Sequence, residues 1–138
     1  EILSEKGKDT GRFMQAGASG VVWVKSTRED MEETLGIAID KLSHLEGIII
    51  EGNSAIEVLK PDIVIFISKG PEYKETAYSI LKCADIIIYE GGLPEGAPVR
   101  AEKFQSDEAV ADIDADINSV LRMVDERKTH GRNHQKVG

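Results

Sequence analysis

A carboxylate followed by small polar residues comes directly after an apolar run near the middle of the chain. Residues 45–54 read Leu-Glu-Gly-Ile-Ile-Ile-Glu-Gly-Asn-Ser. Consecutive β-branched isoleucines are typical of a strand buried on both faces of a parallel sheet. Ligands of open α/β sheets bind at the carboxyl ends of the strands. Two interpretations of Glu51 are therefore open: it holds a metal-bound water or polar ligand, or it only caps the segment that follows.

The glycine-punctuated segment before residue 20 carries a second set of polar residues. Gly7-Lys8 followed by Thr10 invites comparison with the end of a phosphate-binding loop, but that motif requires a glycine five positions earlier, where this chain has Ile2. Asp9 or Thr10 is suited to cap a short helix that ends near Gly17. Arg12 has the planar guanidinium that binds phosphate well, although exposed surface arginines are commoner.

Composition excludes several classes of function. The chain has 138 residues, a net charge of -8 and 41% hydrophobic residues. This length suits one globular domain, and the negative charge argues against a nucleic-acid or anionic-membrane partner. No apolar run approaches the roughly 18 residues of a membrane span, and no signal-peptide pattern is present. The single cysteine, Cys83, excludes an internal disulfide, so a reduced, cytoplasmic setting is the default expectation.

Apolar runs alternate with amphipathic segments along the chain. Such alternation predicts an α/β fold with three layers, in which a mostly parallel sheet is covered by helices on both faces. We expect one domain over residues 1–126 and a mobile tail over residues 127–138. We also expect Ile49→Ala to cost about 2–5 kcal/mol, because Ile49 would be buried. The predicted strands are residues 20–24, 47–50, 62–67 and 85–89, and the predicted helices are residues 27–44, 53–59, 73–83 and from Ser106 or Asp107 to about Val124.

An ordered set of short motifs resembles a known family. Asp9-Thr10-Gly11-Arg12 precedes Ala16-Gly17-Ala18 and an apolar strand, Ile50-Glu51-Gly52 ends a second strand, and Leu93-Pro94 precedes an acidic helix. In this order and spacing, over roughly residues 7–121, they are similar to the family of the molybdopterin-guanine dinucleotide biosynthesis protein B, MobB.

The resemblance implies a P-loop GTP-binding fold that uses GTP and Mg²⁺. The implied role is to help a partner transferase attach a guanine nucleotide to the pterin of the molybdenum cofactor, with at most a slow GTPase activity. By this likeness Glu51 is the catalytic residue and, with Asp9, a magnesium ligand. Asp9, Arg12 and Asn53 would bind the nucleotide. The alternative, that Asp9 only caps a helix, remains open.

Two other functions remain open at this stage. One is a nucleotide-dependent enzyme of another P-loop family, such as a small-molecule kinase or synthetase that uses Asn53, Ser54 and the loop 68–74. The other is a non-catalytic α/β interaction module. Because no segment of the chain supplies the phosphate loop, we expect GTP or ATP to bind at best in the millimolar range, and we expect a sheet edge that is exposed or pairs in a homodimer.

Overall fold

The computed structural model describes residues 9–106, 118 and 120–126. The chain divides into two compact units, residues 1–59 and residues 60–138, and each is described by itself. The single domain predicted over residues 1–126 stays a prediction. The start of the helix predicted from Ser106 or Asp107 and the predicted tail 127–138 lie outside the described residues, whereas residues 118 and 120–126 are helical as predicted.

The first unit contains three helices: α1 (Asp9–Gln15), α2 (Met31–Leu42) and α3 (Asn53–Val58). Helix α1 ends at Gln15, close to the end predicted near Gly17, whose φ of +98° is a left-handed conformation that glycine adopts without strain. The N–H of Ala18 then donates to the carbonyl of Phe13 at 3.0 Å. Helix α2 packs an apolar face inward, and Leu35 and Ala38 on it are buried.

The two strands predicted in the first unit are absent. Residues 21–24 and 48–50 have no regular secondary structure, and they belong to no strand of the described residues. Ile49, predicted to be buried, is 90% exposed. The prediction is wrong because β-branched, apolar composition indicates an extended chain, while burial also requires neighbouring strands that accept its main-chain hydrogen bonds.

The second unit contains a parallel sheet of three strands: β1 (Ile65–Lys69), β2 (Ile86–Glu90) and β3 (Glu102–Gln105), in the order β1-β2-β3. Ile65 is in register with Ile86, which is in register with Glu102. The parallel pairing of β1 with β2 was predicted. Strand β3 was not, because only one of its four residues, Phe104, is apolar. The chain is thus an α/β protein with a small parallel sheet.

A 3₁₀ turn (Glu75–Ala77) and helix α4 (Tyr78–Cys83) connect β1 to β2. Leu81, Ile86 and Ile87 are fully buried in the core of this unit. The Tyr73 ring meets Phe66 edge-on with centroids 5.9 Å apart and stacks on Tyr78 at 6.5 Å. These aromatic contacts fix the chain after β1 against the sheet.

Asp85 joins the starts of all three strands. Its carboxylate accepts a hydrogen bond from the N–H of Val64 at 2.9 Å. Its own N–H donates to the carbonyl of Val64, and its carbonyl accepts from the N–H of Glu102, each at 2.9 Å. One residue therefore sets the position of β1 and β3 relative to β2. None of the helices in the described part of the chain is long and apolar enough to cross a membrane.

Candidate functional site

A cavity of about 1300 Å³ lies in the first unit. Helix α2 forms one wall, and segments 20–24 and 45–52, which belong to no helix or strand, form others. Its lining is mostly aliphatic and includes an aromatic residue, Trp23, which is 55% exposed. The principal apolar lining residues are Phe13, Val21, Val22, Trp23, Val24, Met31, Leu35, Ala38, Ile39, Leu42, Leu45, Ile48, Ile49 and Ile50.

The only charged carboxylates of this lining are Glu46 and Glu51, and no lysine or arginine of the described residues lines it. Glu51 is exposed and follows the three isoleucines 48–50. Gly52 follows with a φ of +133°, which turns the chain into α3. Thr10 of α1 and Ser54 of α3 line the same cavity. The fold thus brings the start of the Asp-x-x-Arg segment and the Glu-Gly pair to one cavity.

The alternative role of Glu51, as a cap for the next segment, is not seen. Gly52 is the N-cap of α3, and no side chain makes a capping hydrogen bond there. Among the described residues, Glu51 takes part in no ion pair or side-chain hydrogen bond. Its carboxylate therefore remains accessible to a ligand.

The other predicted site residues lie at the ends of short helices. Asp9 is the first residue of α1, and both of its roles, as a ligand of the nucleotide and magnesium or as a helix cap, stay predictions. Arg12, one turn further along α1, is exposed and already has an interaction partner. Asn53 is the first residue of α3. Neither Arg12 nor Asn53 belongs to the lining of the cavity.

The described residues contain no group of three or more histidine, cysteine or acidic side chains that could hold a metal ion. This does not test the predicted Mg²⁺ ligands, Glu51 and Asp9, because magnesium commonly binds one or two carboxylates together with phosphates and waters. The exposed oxygens of Glu51 suit such a role. The lining supplies no positive side chain for the phosphates, so that part of the expected GTP site does not fit the described residues.

Sequence reasoning missed the apolar wall itself. It assigned Trp23 and the isoleucines 48–50 to a sheet core, whereas they line an open cavity. Their composition carried no signal of this difference, because a buried strand and an apolar cavity wall use the same residue types.

No family model matches the chain, and neither the curated proteins nor the solved structures include a match.

Proposed function

We propose that this protein is a guanine-nucleotide-binding accessory protein of the kind that the MobB resemblance implies. It would act with a partner transferase in attaching the nucleotide to the pterin of the molybdenum cofactor. One observation carries the proposal: the exposed Glu51 lies in the wall of a cavity that Thr10 also lines.

The chemistry assigned to Glu51 follows from its charge and position. Mg²⁺ prefers hard oxygen ligands and usually keeps several waters, which need acceptors. An exposed carboxylate without an ion-pair partner among the described residues can accept hydrogen bonds from such waters. When bound, the magnesium ion would supply the charge that offsets the phosphates, while Glu51 would orient water beside it. Asp9 and Arg12 on α1 would lie beside the phosphates of the bound nucleotide.

The proposal is tested by titrating GTP into the purified protein with and without Mg²⁺, followed by NMR chemical shifts because millimolar binding is expected. Glu51→Gln keeps the shape of the side chain and removes its charge. Since a hydrogen bond to a charged group contributes about 1.5–3 kcal/mol, we expect magnesium-dependent affinity to fall roughly tenfold or more. Glu46→Gln, at the other charged position of the cavity, is the matched control and should bind GTP as the wild type does.

Equal GTP affinity for the wild type and Glu51→Gln, with both folded, would show that Glu51 does not serve a nucleotide. A wild-type affinity in the micromolar range would instead show that the protein already holds a complete phosphate site. That result would overturn the expectation of millimolar binding. ATP, titrated in parallel, shows whether the site distinguishes the two bases.

A second candidate, an interaction module, is favoured by the edge of the sheet. The main-chain groups of Val64 and Gly70 make hydrogen bonds to β2 and the residue before it. Main-chain groups of successive residues point to opposite sides of a strand, so those of Ile65 and Ile67 point to the outer edge of β1. Among the described strands β1 has a neighbour on one side only, and Ile67 is 73% exposed. An open, apolar edge invites pairing with another chain. Sedimentation velocity over a wide concentration range tests this: a strictly monomeric protein would count against a homodimer.

A further inference from the structure

Strand β3 differs from the other two strands of its sheet in how it is held. Ile86 and Ile87 of β2 are fully buried, and Phe66 and Ser68 of β1 are buried as well. None of the four side chains of β3 is buried. Because the burial of apolar surface is the dominant favourable term in folding, β3 gains less from packing than its neighbours do and depends more on hydrogen bonds.

The ammonium group of Lys103 makes a cluster of these hydrogen bonds. Its Nζ donates to the carbonyl oxygens of Pro98, Val99 and Ala101 at 2.9, 3.3 and 2.9 Å. An ammonium has three donor hydrogens, which matches the three carbonyls. Hydrogen bonds from a charged donor are stronger than those between neutral groups. One side chain of β3 therefore closes the turn that precedes the strand.

Two further contacts of this region are polar and lie at the surface. The guanidinium of Arg100 donates to the main-chain carbonyl of Lys82 in α4 at 3.0 Å. Arg122 forms an ion pair with Glu102 at 3.0 Å, in which the two side chains are 60% and 33% exposed. Ion pairs in contact with water contribute little to stability. The charged cluster at Lys103 is thus the strongest side-chain restraint among these three.

We propose that residues 98–105 form a clasp that opens locally while β1 and β2 stay paired, and that the ammonium of Lys103 keeps this clasp closed. Segments with few buried apolar contacts open at a lower free energy than the core does. Opening of the clasp uncovers the edge of β2 that β3 pairs with, and an unpaired edge can accept another strand. The charge of Lys103 therefore controls access to this edge. The inference does not rest on nucleotide binding at Glu51.

Amide hydrogen exchange of the native protein, followed by NMR, measures this opening. The N–H groups of Ser106 and Glu102 donate to the main-chain carbonyls of β2 and of the residue before it, at 2.7 and 2.9 Å. These two amides are the clasp reporters. The N–H of Ile86 donates to the carbonyl of Val64 at 3.2 Å and is the core reporter. In the wild type we expect the clasp reporters to exchange faster than the core reporter.

Three variants isolate the charge of Lys103. Lys103→Met keeps the length of the side chain and removes the ammonium, so the clasp reporters should exchange about tenfold faster or more, with no change at the core reporter. Lys103→Arg keeps the charge and should restore part of the protection. Lys82→Met is the matched control, because it removes the same charge from an exposed lysine whose Nζ lies over the Tyr78 ring at 4.3 Å. Its clasp reporters should exchange as in the wild type.

Three results would overturn the proposal. Unchanged exchange of the clasp reporters in Lys103→Met would show that the ammonium does not hold β3. Equal acceleration of the clasp and core reporters would show that the sheet opens as a whole. Equal acceleration in Lys82→Met would assign the effect to net charge instead of to the carbonyl cluster. None of these measurements involves GTP or magnesium, so this inference and the proposed function fail separately.

Discussion

The same three residues occur twice in this chain and lie in opposite surroundings. Ile48-Ile49-Ile50 in the first unit is exposed, has no regular secondary structure and lines a cavity, whereas Ile86-Ile87-Ile88 in the second unit lies in the central strand of a sheet. Ile49 is 90% exposed, whereas Ile87 has no exposed surface. Two triplets with the same intrinsic preference for β structure are therefore exposed in one unit and buried in the other.

The difference lies in the neighbours of each triplet. The strand that contains Ile87 has β1 on one side and β3 on the other, and Asp85 fixes both at their starts. The segment that contains Ile49 has no strand of the described residues beside it. A β-branched run thus needs pairing partners before its apolar surface is removed from water, and the run itself does not supply them.

The largest expected effect tests this comparison directly. Ile87→Ala removes fully buried methyl and methylene groups and should lower the free energy of unfolding by about 2–5 kcal/mol. Ile49→Ala, an exposed position, should change it by no more than about 0.5 kcal/mol, in contrast to the 2–5 kcal/mol expected from the sequence. Urea denaturation of both variants and the wild type measures the two values. Losses of similar size would mean that Ile49 is buried in solution and that the two triplets are equivalent.

An intermediate effect is expected at the residue that gives β2 its neighbours. Asp85→Ala leaves the half-buried N–H of Val64 without its acceptor, which should cost about 1–3 kcal/mol in the free energy of unfolding. Asp85→Asn retains an acceptor oxygen and should lose less. Amide hydrogen exchange should show the loss of protection concentrated in β1 and β2. Unchanged protection there in Asp85→Ala would show that the strands hold their positions without this side chain.

The smallest expected effect concerns the helix of the first unit. A Cβ added at Gly36 within α2 would meet no atom within 4 Å, so Gly36→Ala should raise the free energy of unfolding by about 0.5–1 kcal/mol. Gly52→Ala is the matched control: a Cβ there also meets nothing, but the φ of +133° strains any other residue, so stability should fall. Unfolding is followed by Trp23 fluorescence, which reports on this unit. A gain for both variants would rule out the turn conformation at Gly52.

Local chemistry predicted the helices well. The end of α1 near Gly17 and the short helix that begins at Asn53 were predicted from capping, glycine and proline signals that act over a few residues. The amphipathic helix predicted over residues 73–83 forms in part, as a 3₁₀ turn and α4 (Tyr78–Cys83). Strand β3 was not predicted, because Glu102, Lys103 and Gln105 have no apolar pattern. It forms a strand because the edge of β2 offers hydrogen bonds to a chain placed beside it.

The candidate site was predicted in part. Glu51 was predicted to end a buried strand, but no strand forms there, and no side chain caps α3 at its Gly52 N-cap. The catalytic and magnesium roles of Glu51 remain predictions. The cavity was not predicted, because it arises from the tertiary spacing between α2 and the two segments that flank it in the chain. The assignments of Asp9, Arg12 and Asn53 to a nucleotide remain predictions.

The sequence by itself determined where several helices and turns lie, since these depend on side-chain branching, caps and glycines within a few residues. Only the tertiary structure decided which extended segments became strands, that a polar tetrapeptide completed the sheet, and that Trp23 and Ile49 line a cavity. The physical reason is that hydrogen bonding between strands and the removal of apolar surface from water both depend on residues far away in sequence, which no local pattern encodes.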